Sequence, residues 1–281
     1  MSGADSLEMI EVYHDRGLSV ITLANSANGN PLNIDLLASL DNHFSQCLES
    51  RDTRVILLRS NGSPFCVGMD FAALSDGMDG PNAASLLRES IEAYSEVLAR
   101  IYDGGKPVIC LVDGEVRAGG VGLVCASDIV YATQRSQFSL SEVLFGLIPA
   151  NVLPYLLGLR VSPQKARHLI LTSKTATAEE ALRYGMVDEV LVLDAMEKAV
   201  RTCVRQLLRS SPAALAAVKR FTGQNLWSSI TELRKLAIEE QVDTIQAGDA
   251  LSAVRAYRDG ATPDWFTSFR PERPLFISDE T

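Results

Sequence analysis

The sequence predicts an α/β fold whose C-terminal part is helical. Three observations point there. Short β-rich runs alternate with amphipathic helical stretches through the first half. The runs are apolar enough to read as buried, parallel strands. From Ser162 onward, helical patterns follow one another directly.

Residues 18–24 (LSVITLA) form the first strand-like run. In 34–48, Leu36, Leu37, Leu40, Phe44, Cys47 and Leu48 recur at helical spacing, and Asn33 stands where an N-cap belongs. The second strand is 54–60 (RVILLRS). A second helix over 83–101 follows, carrying Leu86, Leu87, Tyr94, Val97, Leu98 and Ile101 on one face, and then a third strand, Val108–Val112 (VICLV). Helices are expected over 162–171, Ala178–Tyr184, 195–209, 212–221 and 228–246, with Gly, Ser and Pro between them. Pro212 suits the first position of a restarted helix, placing a soft boundary near 205–212. The expected division is a core over 1–208 and a helical region with a tail over 209–281. The tail from 263 onward, with Trp265, Phe266 and Phe269 among prolines, is expected to lie over another surface or to be partly disordered. No sequence repeat and no low-complexity segment stands out.

Composition excludes several function classes. The 281 residues are 47% hydrophobic and 22% charged, and a chain this long buries roughly 75% of its unfolded surface without staples. Twenty-six Lys+Arg against 35 Asp+Glu leave a formal charge of −9 and a pI of about 4.9, against a nucleic-acid-coating role. Cys47, Cys66, Cys110, Cys125 and Cys203 form no C-x-x-C pair, so they read as small core hydrophobes of a reduced, cytoplasmic protein. His14, His43 and His168 are isolated from one another and from the cysteines, and no metal site is expected. No apolar run reaches the roughly 18 residues of a bilayer span, so no membrane partner is expected.

Three stretches fit poorly with simple packing. Ser63-Pro64-Phe65-Cys66-Val67-Gly68-Met69-Asp70-Phe71 follows the 54–60 strand. Asp113-Gly114-Glu115-Val116-Arg117-Ala118-Gly119-Gly120-Val121-Gly122 follows Val108–Val112. Each is a strand end, then Gly-containing backbone, then an apparent helix. A helix N-terminus leaves backbone N–H groups unpaired, so the two loops together could aim one N–H apiece at a developing oxyanion. For either loop alone, glycines that merely permit a tight turn and close helix packing are the better reading. The third stretch, 137–150, sets Glu142 in an apolar run beside Phe138 and Phe145. A carboxyl group in an apolar pocket has its pKa raised toward working pH, the condition for a general acid/base. The competing reading is a carboxylate held by turn backbone or exposed to solvent.

In order and spacing, F-C-V-G-M-D, G-E-V-R-A-G-G-V-G-L-V-C-A-S-D, Q-F-S-L-S-E-V-L-F-G-L-I-P-A and A-x-E-A-L-R-Y-G-M-V-D-E-V resemble the crotonase (enoyl-CoA hydratase/isomerase) superfamily from about residue 8 to 225. The resemblance implies a crotonase-like spiral of ββα turns with a helical C-terminal part over 209–281 that trimerises, giving a homotrimer or a hexamer. It implies no cofactor, and a thioester substrate on a pantetheine arm, from coenzyme A or an acyl carrier protein. By motif position, the thioester carbonyl is expected to meet the backbone N–H groups of Cys66 and Gly119. Typical hydratases of the superfamily carry two glutamates; here the first position is Gly122 and the second is Glu142.

The string from Phe138 to Pro154 resembles more closely the dehydratases of polyketide β-branching cassettes. These convert a 3-hydroxy-3-methylglutaryl group on an acyl carrier protein to a 3-methylglutaconyl group, often ahead of a decarboxylase of the same superfamily. The expected catalytic residue is Glu142, with Asp70, Tyr94, Arg117 and Asn151 as candidate substrate-binding residues. Asp70 is expected to orient the first loop or a substrate hydroxyl, and for the other three an ordinary role competes: a surface arginine for Arg117, a helix cap for Asn151, core packing for Tyr94. Carrier proteins are typically acidic, so docking to a chain of charge −9 calls for a local positive rim, for which Arg209, Lys219 and Arg220 are the candidates. The alternatives are a CoA-linked hydratase, isomerase or decarboxylase of the same fold, and a non-catalytic assembly subunit. The retained Glu142 argues against the last.

Overall fold

The computed structural model describes residues 9–70, 83–226, 229–246 and 249–262. Strand β1 (Ile10–Asp15) turns at Arg16-Gly17, both with positive φ, into antiparallel β2 (Leu18–Leu23). Helix α1 (Ile34–Glu49) starts at Asn33, whose side chain accepts from the Leu36 N–H, and buries the predicted stripe Leu36, Leu37, Leu40, Phe44 and Cys47. Strand β3 (Val55–Ser60), helix α2 (Ala83–Asp103) and strand β4 (Val108–Val112) follow. The predicted elements fall within a few residues of these bounds.

Two stacked turns of chain then build the site. The first is β4, β5 (Glu115–Arg117) and α3 (Gly119–Ala126); the second is β6 (Ile129–Thr133) and β7 (Gln137–Ser139). Strand β6 pairs with β4 in the large sheet while β7 pairs with β5 in a small one, both parallel, so the second turn lies directly on the first. Helix α4 (Pro163–Thr172), strand β8 (Ala176–Thr177), helix α5 (Ala178–Tyr184) and strand β9 (Glu189–Leu191) close the spiral. The large sheet runs β1-β2-β3-β4-β6-β9, parallel from β2 onward, and the small one β5-β7-β8. The repeat also shows in the hydrogen bonds. Asp128, before β6, accepts from the Val108 N–H at the start of β4, and Asp188, before β9, accepts from the Val130 N–H of β6.

Helix α6 (Leu193–Arg209) covers one face of the large sheet through Met196, Val200, Cys203 and Val204. Helices α7 (Pro212–Leu226), α8 (Ser229–Gln246) and α9 (Asp249–Arg258) return to the other side. Helix α8 packs on α2 and α9 on the segment around Glu142, so the chain after residue 209 lies over its own core. All five cysteines are buried thiols, as expected of core residues. No described helix is long and apolar enough to cross a membrane. The aromatic tail from 263 lies outside the described residues.

Candidate active site

Backbone pairing stitches the three predicted stretches side by side. The Phe65 N–H donates to the Glu115 carbonyl, Arg117 N–H to Cys66, and Ala118 N–H to Ser139. The β5–β7 register sets Arg117 opposite Ser139, so Gly119 and Glu142, two and three residues further on, emerge at the same end of the small sheet. The loops touch closely enough to need their glycines. A Cβ on Gly68, at φ +89°, would lie 2.7 Å from Ala118 Cβ, and one on Gly120 would lie 2.7 Å from the Cys66 carbonyl. Ala118 itself has φ 47°, a costly conformation for a residue with a Cβ, and it starts α3 without a side-chain cap.

This pairing corrects one expectation. The Cys66 N–H points to the Glu115 carbonyl at 3.4 Å, and the Cys66 side chain is fully buried beneath Gly120. Its thiol donates to the Asn30 carbonyl, and burial pushes it up to about 12, leaving neither a facing amide nor a thiolate. Met69, three residues on, lines the site instead. The bridge between Leu32 and Met69 uses the Gly68 carbonyl and the Asp70 N–H, which turns the Met69 N–H the other way. Among the described residues, neither the Met69 nor the Gly119 N–H meets an acceptor.

Leu32, Met69, Tyr94, Gly119, Glu142 and Asn151 enclose a cavity of about 30 Å³, which Pro149, Val152, Ala118 and Gln241 of α8 complete. Glu142 opens a 3-10 turn, Glu142–Phe145, closed by Gly146 in the left-handed region. It is 6% exposed and its Oε2 has no partner among the described residues. Desolvation therefore raises its pKa from 4.5 to about 7. The carboxyl can both take and give a proton near neutral pH.

Tyr94 explains the missing second carboxylate. Its hydroxyl donates to the Gly119 carbonyl at 2.5 Å, and a Cβ on Gly122 would lie 2.0 Å from that hydroxyl. The phenol occupies the space a side chain at 122 would need, and burial holds its pKa well above the usual range, so it stays protonated. Asn151 does not cap a helix. Its Nδ2 donates to the Ile91 carbonyl of α2, leaving Oδ1 buried without a partner among the described residues.

The other predicted residues lie elsewhere. The Asp70 backbone donates to Leu32, and its side chain is not among those lining the cavity. Arg117 pairs with Glu115 and stays half-exposed outside the cavity wall. Lys219 is not a rim cation. Its ammonium is spent on Asp128 and on the Ile101 and Lys106 carbonyls, beside a separate cavity of about 220 Å³ shared with Tyr102 and Arg160. Arg209 and Arg220 are exposed but do not line the site. The sequence gives no sign of Gln241: a glutamine in a polar helix a hundred residues downstream carries no motif to find it by.

Stacked ββα turns with a buried carboxyl beside two loop amides define an enzyme of the crotonase type. The chain belongs to the enoyl-CoA hydratase/isomerase family, whose family model matches residues 14–268. It is 33% identical over 216 residues to the bacillaene synthase dehydratase PksH of Bacillus subtilis, covering 76% of this chain and 80% of that protein. It is 27% identical to the trans-2-decenoyl-[acyl-carrier-protein] isomerase of Streptococcus mutans, covering 89% and 94%. The crystal structure of pksH from Bacillus subtilis superposes with a TM-score of 0.81 at 26% identity, covering 92% of this chain and 99% of that one.

Proposed function

We propose that this enzyme dehydrates a 3-hydroxy-3-methylglutaryl thioester, carried on an acyl carrier protein, to the 3-methylglutaconyl thioester. The observation that carries the reading is the buried carboxyl of Glu142, the one carboxyl among the described residues of the cavity, where Tyr94 fills the place of a second. The likeness to the dehydratase PksH supports the direction of the reaction.

In this reading the thioester oxygen accepts from the Met69 and Gly119 N–H groups, which acidifies C2. The Glu142 carboxylate takes the C2 proton, and electron density moves to the thioester oxygen as an enolate. Preorganised donors of this kind are worth roughly 3–4 kcal/mol each in comparable sites. The enolate collapses, the C2–C3 double bond forms, and the C3–O bond breaks. Glu142 returns its proton to the departing oxygen, so water leaves and the carboxylate is restored. One carboxyl serving both steps places proton and leaving group on the same face. The product's carboxyl is the vinylogue of a β-keto acid's, the arrangement a partner decarboxylase would accept. A trimer buries part of the apolar surface that Val218, Phe221 and Leu236 expose on α7 and α8.

Glu142→Gln is expected to abolish an 18-unit mass loss on the carrier arm while leaving the fold intact. Near-wild-type turnover in that variant overturns the assignment. The same acyl group offered on coenzyme A and on a carrier protein separates the carrier-linked reading from a CoA-linked one.

A further inference from the structure

Every polar side-chain atom left unpaired around the cavity is an acceptor. Glu142 Oε2, Asn151 Oδ1 and Gln241 Oε1 are all buried with no partner among the described residues. Asn151 is 3% exposed, and its amide orientation follows from the donation of Nδ2 to the Ile91 carbonyl. Tyr94 adds a fourth acceptor, because its one hydrogen is spent on the Gly119 carbonyl. An unpaired buried acceptor is costly, and such groups are normally satisfied. The space, about 30 Å³, is enough to hold a hydroxyl or a water.

We propose that this cavity is a cradle for the departing oxygen of the substrate, with Asn151 and Gln241 as its specificity-determining acceptors. The inference rests on the dehydratase reading and extends it to the leaving group. A β-hydroxyl brings one hydrogen to the cradle. Once Glu142 protonates it and the C3–O bond breaks, the same oxygen is a water with two, so the cradle binds the departing group better as elimination proceeds. A bare hydroxide would meet the lone pairs of Asn151, Gln241 and Tyr94, so protonation accompanies bond cleavage. A carboxylate would meet the same repulsion, so the distal acid of the glutaryl chain points away from this end. Gln241 ties the cradle to α8, which makes the C-terminal helices part of the site and not only of the scaffold.

The test is binding of pantetheine amides, in which nitrogen replaces the thioester sulfur and C2 is no longer acidic enough to react. Two pairs are titrated by calorimetry: 3-hydroxybutyryl against butyryl, and 3-hydroxy-3-methylglutaryl against 3-methylglutaryl. The wild type is expected to prefer the hydroxylated member of each pair by about tenfold or more. Gln241→Leu and Asn151→Leu should each cut that preference by roughly three- to tenfold, through weaker binding of the hydroxylated member alone. Gln241→Met, with its flexible apolar side chain, serves if a leucine variant fails to melt like wild type. Equal binding of the two members of the four-carbon pair by the wild type overturns the cradle, as does an unchanged preference in folded variants. A preference within the four-carbon pair with no binding of the glutaryl pair overturns the substrate assignment and leaves the cradle standing.

Discussion

Replacing Glu142 with Gln removes the proposed base, and it should also make the protein more stable in a pH-dependent way. The free energy follows from the desolvation of the carboxyl. In the folded chain its pKa rises from 4.5 to about 7. A group that holds its proton more tightly when folded makes stability fall as pH rises between those two values. Below about pH 4.5 the carboxyl is protonated in both states and costs nothing extra. Above about 7 the full penalty is present. At ~1.4 kcal/mol per pH unit, the folded wild type loses about 3 kcal/mol across that window on account of this one group. The glutamine variant has no such group and every other titrating residue in common, so the difference between the two proteins isolates it. Urea unfolding at equal subunit concentration, at pH 4.5 and pH 8, measures that difference. The variant should gain about 3 kcal/mol on the wild type between the two pH values. A gap that stays constant within about 1 kcal/mol refutes the buried, raised carboxyl, and with it the argument that Glu142 can serve as both base and acid.

Further outcomes follow from the same geometry. The kcat/KM of the wild type should rise with pH through a midpoint near 7, where Glu142 ionises, and a midpoint near 4.5 in a pH–rate series would contradict the site. Gly122→Ala should cost about 1–3 kcal/mol by overpacking against the Tyr94 hydroxyl. Adding Tyr94→Phe should recover part of that loss, a coupling that a double-mutant denaturation cycle reads directly. Gly68→Ala forces a Cβ against Ala118 at positive φ and should lower kcat more than it raises KM, because it parts the two loops that carry the amides. Lys219→Met should destabilise by about 2–3 kcal/mol, since it strands Asp128 and two carbonyls. It should leave the affinity for a carrier protein unchanged in a binding titration.

The sequence was most legible where one residue type does one local job. Asn33 capping α1, the stripe from Leu36 to Cys47, and Glu142 in its apolar run are short-range statements, and each stands where expected. The three-residue strands β5 and β7 and the two-residue β8 are too short for periodicity to register, yet their pairing gathers the site. The displacement from Cys66 to Met69 has the same origin. Both N–H groups sit in one glycine-containing loop, and which of them is spent depends on a β-bridge to a segment fifty residues away. Gln241 was out of reach for a simpler reason, because only the return of α8 across α2 brings it to the cavity. The Asp128 and Asp188 bonds that mark the spiral repeat were likewise invisible, since an aspartate before a strand is unremarkable until its partner strand is known.

Gly122 and Tyr94 belong to one decision about proton traffic. With a carboxylate at 122, the cavity would hold two negative groups, one to bind water and one to move the C2 proton. The phenol at that place is neutral and points its hydrogen into the Gly119 carbonyl, so it supplies no base and draws no charge. Among the described residues Glu142 then has no carboxylate beside it in the cavity, and desolvation is what raises its pKa. A group poised near 7 is a weaker base than one at 9 and a weaker acid than one at 4, but it is the only compromise that lets a single side chain perform both halves of an elimination. The cavity therefore has to hold the departing oxygen within reach of the same carboxyl that took the proton. A ring of neutral acceptors meets that need without adding a charge that would push the Glu142 pKa higher still.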